Sequence, residues 1–167
     1  MKRKNKHKIR IYVFIAMLIL FLIYNMFWYV YICRPYVLLG EKISQKEDGC
    51  YWYVENGIGY YVAPPKYLAM TGNLSIGPAS IGDGDNVVNL IIWRNIDGTY
   101  RVGVSLEAYK IKEDGTVECE SAKFEMDEDM NIYNSNHALE KLFEENKEII
   151  TYYYELAHDK WGILGLE

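Results

Sequence analysis

The chain has 167 residues, half of them hydrophobic, and carries 18 Lys and Arg against 23 Asp and Glu. Six of the cations (Lys2, Arg3, Lys4, Lys6, Lys8 and Arg10) fall in the first ten residues, which leaves 12 cations against 23 acids elsewhere, a formal charge of −11. That balance excludes nucleic acid, and docking of the main body on anionic headgroups, because both need an excess of positive charge.

Residues 1–10 read as a basic tail. Residues 11–32, IYVFIAMLILFLIYNMFWYVYI, form a charge-free apolar run. As a helix it would be ~33 Å long, enough to cross a hydrocarbon core of ~30 Å. Trp28, Tyr29 and Tyr31 crowd its C-terminal end, where amphipathic rings favour the headgroup zone and would anchor the span. Arg34-Pro35 is expected to end the helix. A cleavable signal peptide has a shorter apolar core and small residues at its cleavage site, and neither fits here. A lipidated cysteine would need a small residue where Ile32 precedes Cys33. The basic flank predicts a cytoplasmic N-terminus and an outer C-terminal domain in the cell membrane.

Residues 33–49 read as a juxtamembrane connector, and residues 50–167 as one extracytoplasmic α+β domain, with strands over 50–126 and a helix over 136–161. CYWYVE-NG-IGYYVA predicts a hairpin around Asn56-Gly57. Pro64-Pro65 stops its second strand. Alternation from Lys66 to Ile76 predicts a further strand, with Leu68, Met70, Leu74 and Ile76 on one face. Residues 77–86 (GPASIGDGDN) read as a loop. Its glycines lack the following helix of a phosphate cradle, and Asp83 and Asp85 lack the closing acid of a calcium loop. Three strands joined at Asp97-Gly98 and Asp114-Gly115 follow. The first, Val87–Ile96, is apolar on both faces and is expected in a central place. The second alternates, with Tyr100, Val102, Val104, Leu106 and Ala108 toward the core. The third changes apolar phase, which predicts a bulge near Glu120. A helix capped at Asn134, Ser135 or Asn136 presents Leu139, Leu142, Phe143, Ile149, Ile150, Tyr153, Leu156 and Ala157 on one side, and Gly162 ends it. Asn146 falls on the apolar side. Residues 163–166 form an apolar tail expected to pack back on the domain. The expected architecture is an anchor helix, then a mostly antiparallel sheet of about six strands covered by one C-terminal amphipathic helix.

No catalytic motif, nucleotide fingerprint or metal-ligand spacing is present, so no catalytic residue, metal or cofactor is assigned. Glu155 and His158 form a single ExxH, whereas carboxylate-bridged metal bundles use two on different helices. In an oxidising compartment Cys50 and Cys119 could pair, leaving Cys33 free; three unpaired thiols are equally compatible. The unusual quantity is aromatic, with 16 Tyr and 4 Trp. Tyr51, Tyr53, Tyr61, Tyr67 and Tyr109 are candidate contact residues, since exposed Tyr gives large, stiff contact area. Tyr is also a good residue for a half-buried pleated surface. The sequence therefore predicts a single-pass membrane protein whose acidic, Tyr-rich outer domain binds an envelope protein or glycan without catalysis. Two rivals stand beside it. One is a membrane-tethered hydrolase using Asp83, Asp85, Glu155 or His158. The other is a structural subunit of a membrane complex acting through its transmembrane helix.

Overall fold

The computed structural model describes residues 2–43, 45–80, 86–95, 97–111 and 117–162, with the side chains of all of these except 2–7, 45, 46, 86, 109–111 and 117–119. Among them, α1 (Lys2–Phe27) runs through a π-helical turn (Trp28–Cys33) directly into α2 (Arg34–Glu41). Seven strands follow: β1 (Gln45–Glu47), β2 (Cys50–Glu55), β3 (Ile58–Ala63), β4 (Asn73–Pro78), β5 (Asn86–Arg94), β6 (Tyr100–Ile111) and β7 (Val117–Met126). The long helix α3 (His137–Trp161) closes the order. The sheet is antiparallel throughout and its spatial order is its sequence order. The α+β arrangement is the one the patterning predicts, with a seventh strand drawn from the connector.

Residues 8–41 form one continuous helical stretch that is long and apolar enough to cross a membrane. The helix does not stop at Arg34-Pro35 as expected. The Arg34 amide bonds the Tyr29 carbonyl, a wide π-type turn, and Pro35 falls in the first turn of α2, where a missing N–H is tolerated. Beyond it the helix keeps an apolar face. Tyr36, Leu39 and then Ile43 are buried against the end of the sheet that carries Tyr51. The connector is therefore part of the core.

Asn56 and Gly57 both have positive φ, at 52° and 78°, and give the tight hairpin that Asn-Gly favours. Side chains alternate from there. Tyr60, Val62, Leu74, Ile76, Leu90, Ile92, Val102, Val104, Phe124 and Met126 share one face and are buried. Two helices cover that face, α2 over β2 and β3, α3 over β4 and β5. α3 contributes Phe143, Ile150, Tyr153, Ala157 and Trp161, at spacings of three, four and seven. Its cap is Asn136, whose side chain accepts from the Leu139 amide. Asn146, on the apolar side, donates back to the Leu142 carbonyl, so its amide is satisfied within the helix.

Two expectations are corrected. The strand foreseen over Lys66–Ile76 begins only at Asn73, and residues 64–72 form a loop. Pro64-Pro65 cannot donate to a ladder, and Gly72 lies so close to the Ala63 carbonyl that an added Cβ would be 2.3 Å from it. Leu68 and Met70 point to solvent instead of the core. The bulge near Glu120 is absent, for β6 and β7 pair without interruption from Val102↔Met126 to Ile111↔Val117. The apolar phase of β7 therefore switches with no slip of register. Asp83, Asp85, Asp114-Gly115 and the 163–166 tail lie outside the described residues.

α3 is tied to the hairpin by Lys160, whose Nζ lies 3.0 Å from Glu55 Oε2 and 4.3 Å from the Tyr53 ring centre. Hydrogen bonds from Lys160, then Tyr53, hold the Glu55 carboxyl below its ordinary range. A depressed carboxylate contributes stability above its unfolded pKa and loses it as pH falls through the folded value, so this tie weakens on acidification. K160M is expected to raise the Glu55 pKa toward the ordinary value of about 4.3. Carbon-detected NMR titration of the side-chain carboxyl would register the shift, and an unchanged Glu55 would refute the tie.

Candidate functional site

Strand parity decides which aromatics can meet a partner. Tyr51 pairs Val62 and Tyr53 pairs Tyr60, which puts both on the core face. Tyr51 is buried and Tyr53 packs against the core beneath Lys160, so both are withdrawn from the outer surface. Tyr61 pairs Trp52 on the opposite, helix-free face, and both are exposed. Tyr61 also accepts the company of Cys50, whose hydrogen bond, more than burial, pushes the phenol above its ordinary range. The backbone of Tyr109 pairs with that of Cys119, and the side chains of both lie outside the described set. Tyr67 lies elsewhere, on the 64–72 loop, where its hydroxyl donates to Asn25 Oδ1 at 2.6 Å. The five tyrosines do not form one patch.

Cys50 is a free, half-buried thiol. Cys50 and Cys119 stand on β2 and β7, five places apart in the sheet, whereas a disulfide needs Cα atoms within about 7 Å. Of the anchor aromatics, Tyr29 and Tyr31 are exposed along the helix, but Trp28 is buried and its indole donates to the Ala69 carbonyl at 2.8 Å. Glu155 and His158 are exposed on α3.

The helix-free face holds a concavity lined by both polar and apolar side chains. Register lines up Trp52, Tyr61, Ser75, Ile91, Gly103 and Glu125 in a single row across β2 to β7. The adjacent row carries Asn89, Ser105 and Lys123. Small residues on β4 and β6 make a floor into which the larger neighbours settle. Trp93 lies over Gly103, where a Cβ would stand 2.6 Å from its ring, and Asn89 Oδ1 lies over Gly77, where a Cβ would stand 2.0 Å away. The result is a groove of about 460 Å³ lined by Ser75, Asn89, Trp93, Ser105, Glu107 and Lys123 among others. That is the size of a small-ligand site.

Its chemistry is hydrogen bonding beside an apolar surface. Ser105 is buried although its face carries no helix, and its hydroxyl donates to Glu107 Oε1 at 2.9 Å. That bond fixes the carboxylate as an acceptor. Asn89 supplies an amide and Lys123 an ammonium. Arg101 and Glu125 form an exposed pair at 3.3 Å on the rim. The two histidines on α3, His137 and His158, lie on the far side of the sheet, so neither can serve Ser105 as a base.

The groove is not legible in the sequence, where Gly103 and Ser105 are simply the residues between the core-facing positions of their strand. The available signal was the coincidence of small residues at alternate places in two strands, Ser75 and Gly77 in one, Gly103 and Ser105 in the other. Nothing in the sequence says that their strands lie on either side of β5. Comparison with protein-family models, with curated proteins and with solved structures finds no match for this chain.

Proposed function

We propose that the chain is a single-pass membrane protein with its N-terminus inside, whose outer domain binds an envelope glycan in the groove of the helix-free sheet face without transforming it. The observation that carries the reading is the polar floor of Ser75, Asn89, Ser105 and Glu107 set against Trp93. A sugar ring presents hydroxyls on its edge and C–H groups on its face, and this surface offers partners for both. The charge-free run and its basic flank support the span and its direction.

The test uses the full chain in detergent micelles on an array of envelope glycans, beside G103L and W93A. Retention of a glycan by the wild type, reduced at least about tenfold in both variants, is expected if each removes roughly 1.4 kcal/mol or more of contact. Retention of no glycan, or undiminished retention by the variants, would remove the reading. A protein partner is the second reading. It is favoured by Trp52, Val54 and Tyr61, which lie exposed together on β2 and β3 of the same face. Photo-cross-linking from position 61 in intact cells would reveal such a partner.

A further inference from the structure

We infer that the 64–72 loop seats the domain on the membrane itself, with Leu68 and Met70 entering the outer leaflet beside the anchor helix; the inference rests on the proposed span. Spanning takes about 20 apolar residues. The charge-free stretch runs from residue 11 to residue 33, between Arg10 and Arg34. Every 20-residue window within it contains both Asn25 and Trp28, so both lie within the span or at its edge. These are the residues that hold the loop. Tyr67 donates to Asn25 Oδ1 at 2.6 Å, Trp28 donates to the Ala69 carbonyl at 2.8 Å, and the Tyr67 and Trp28 rings meet edge to face at 5.5 Å. The loop therefore reaches down to the outer end of the apolar span.

Its chemistry matches that depth. Asn25 donates one amide hydrogen to the Phe21 carbonyl at 2.7 Å and its oxygen accepts from Tyr67, so both the nitrogen and the oxygen have a protein partner, as suits a site near hydrocarbon. Leu68 is 50% and Met70 46% exposed at the loop tip. Leu68 also sits at φ +68°, a left-handed conformation costly for a leucine. A strained backbone that turns an apolar side chain away from its own core makes sense when another apolar medium receives it. Beside the loop, Arg94 lines a cleft of about 250 Å³ with Phe27, Tyr31, Tyr36 and Met70. Arg94 Nε is buried there and has no hydrogen-bond partner among the described residues.

The test is depth-dependent quenching. Full-length chain with its three cysteines replaced by serine carries one new cysteine, L68C, M70C, L18C or Y152C, labelled with an environment-sensitive fluorophore. Each is reconstituted in phosphatidylcholine vesicles containing lipid with a nitroxide either near the headgroup or at mid-chain. Labels at 68 and 70 are expected to emit to the blue and to lose intensity to the shallow nitroxide. The label at 18 should respond to the deep one, and that at 152 only to aqueous iodide. If 18 responds to lipid while 68 and 70 respond only to iodide, the seat is overturned and the span stands. If 18 also responds only to iodide, the span fails and the seat with it. Wild-type chain cross-linked to a photoactivatable phosphatidylcholine, read by mass spectrometry, needs no substitution. Adducts within 66–70 support the seat, and adducts confined to the helix overturn it.

Discussion

Truncating Ile150 to alanine is expected to destabilise the domain by about 2–5 kcal/mol, the range for emptying a fully buried aliphatic site. Ile150 has no exposed surface and stands midway along the apolar face of α3. That helix covers β4 and β5, and its Phe143 meets Phe124 of β7 edge to face at 6.2 Å. The site is boxed by sheet on one side and by its own helix on the other, so little can collapse into the space. A loss of that size is a large share of the 5–15 kcal/mol typical of a folded domain. Y152A, two residues away on the exposed side, should change stability by less than about 0.5 kcal/mol. Urea unfolding of the full chain in nonionic micelles, followed by near-ultraviolet circular dichroism, measures both. Equal effects of the two variants would mean that α3 is not the cover of this core.

The parts of the fold that sequence makes legible are those whose cause is local. Asn56-Gly57 needs only its own two positive φ angles. The alternation of Tyr100, Val102 and Val104 needs only a pleat and one water-free face. Asn136 caps α3 through a hydrogen bond three residues long. Two of the failures have distant causes. Nothing within Lys66–Ile76 reveals that the loop will bend to Trp28, 41 residues earlier, for the Ala69 carbonyl to be bonded there. Pro35 is a helix breaker by local rule, yet the domain holds the helix through it by packing Ile32, Tyr36 and Leu39 on one side. The candidate site divides in the same way. Which tyrosines share a face follows from parity, so Tyr51 could have been set apart from Tyr61 by counting within the hairpin. The groove could not have been found, because it depends on β4 and β6 flanking β5 and on Trp93 leaning over Gly103.

The junction between the N-terminal helix and the domain includes one very close approach, and it predicts the second large effect. Gly40, on α2, lies against the ring of Tyr51, and a Cβ at this position would stand 2.2 Å from Cδ2 and 2.5 Å from Cγ of that ring. Tyr51 is buried and its backbone is fixed in β2 between Lys46 and Val62, so the ring cannot step aside cheaply. G40A is thus expected to cost about 1–3 kcal/mol or more through overpacking, although alanine is the better helix former. Y51A alone should also destabilise, by about 3–5 kcal/mol if a buried tyrosine behaves as Phe and Trp do, since it opens a cavity. The two together should be less damaging than their sum, because the methyl group of the first enters space vacated by the second. A favourable coupling of roughly 0.5–3 kcal/mol in the double-mutant cycle is the expected result. Additivity would show that α2 does not bear on Tyr51. The same cycle reports on the proposed membrane seat, for a helix lifted from β2 no longer fixes the domain to α1. The G40A chain should then lose the lipid quenching of a label at position 68 while keeping that of a label at position 18.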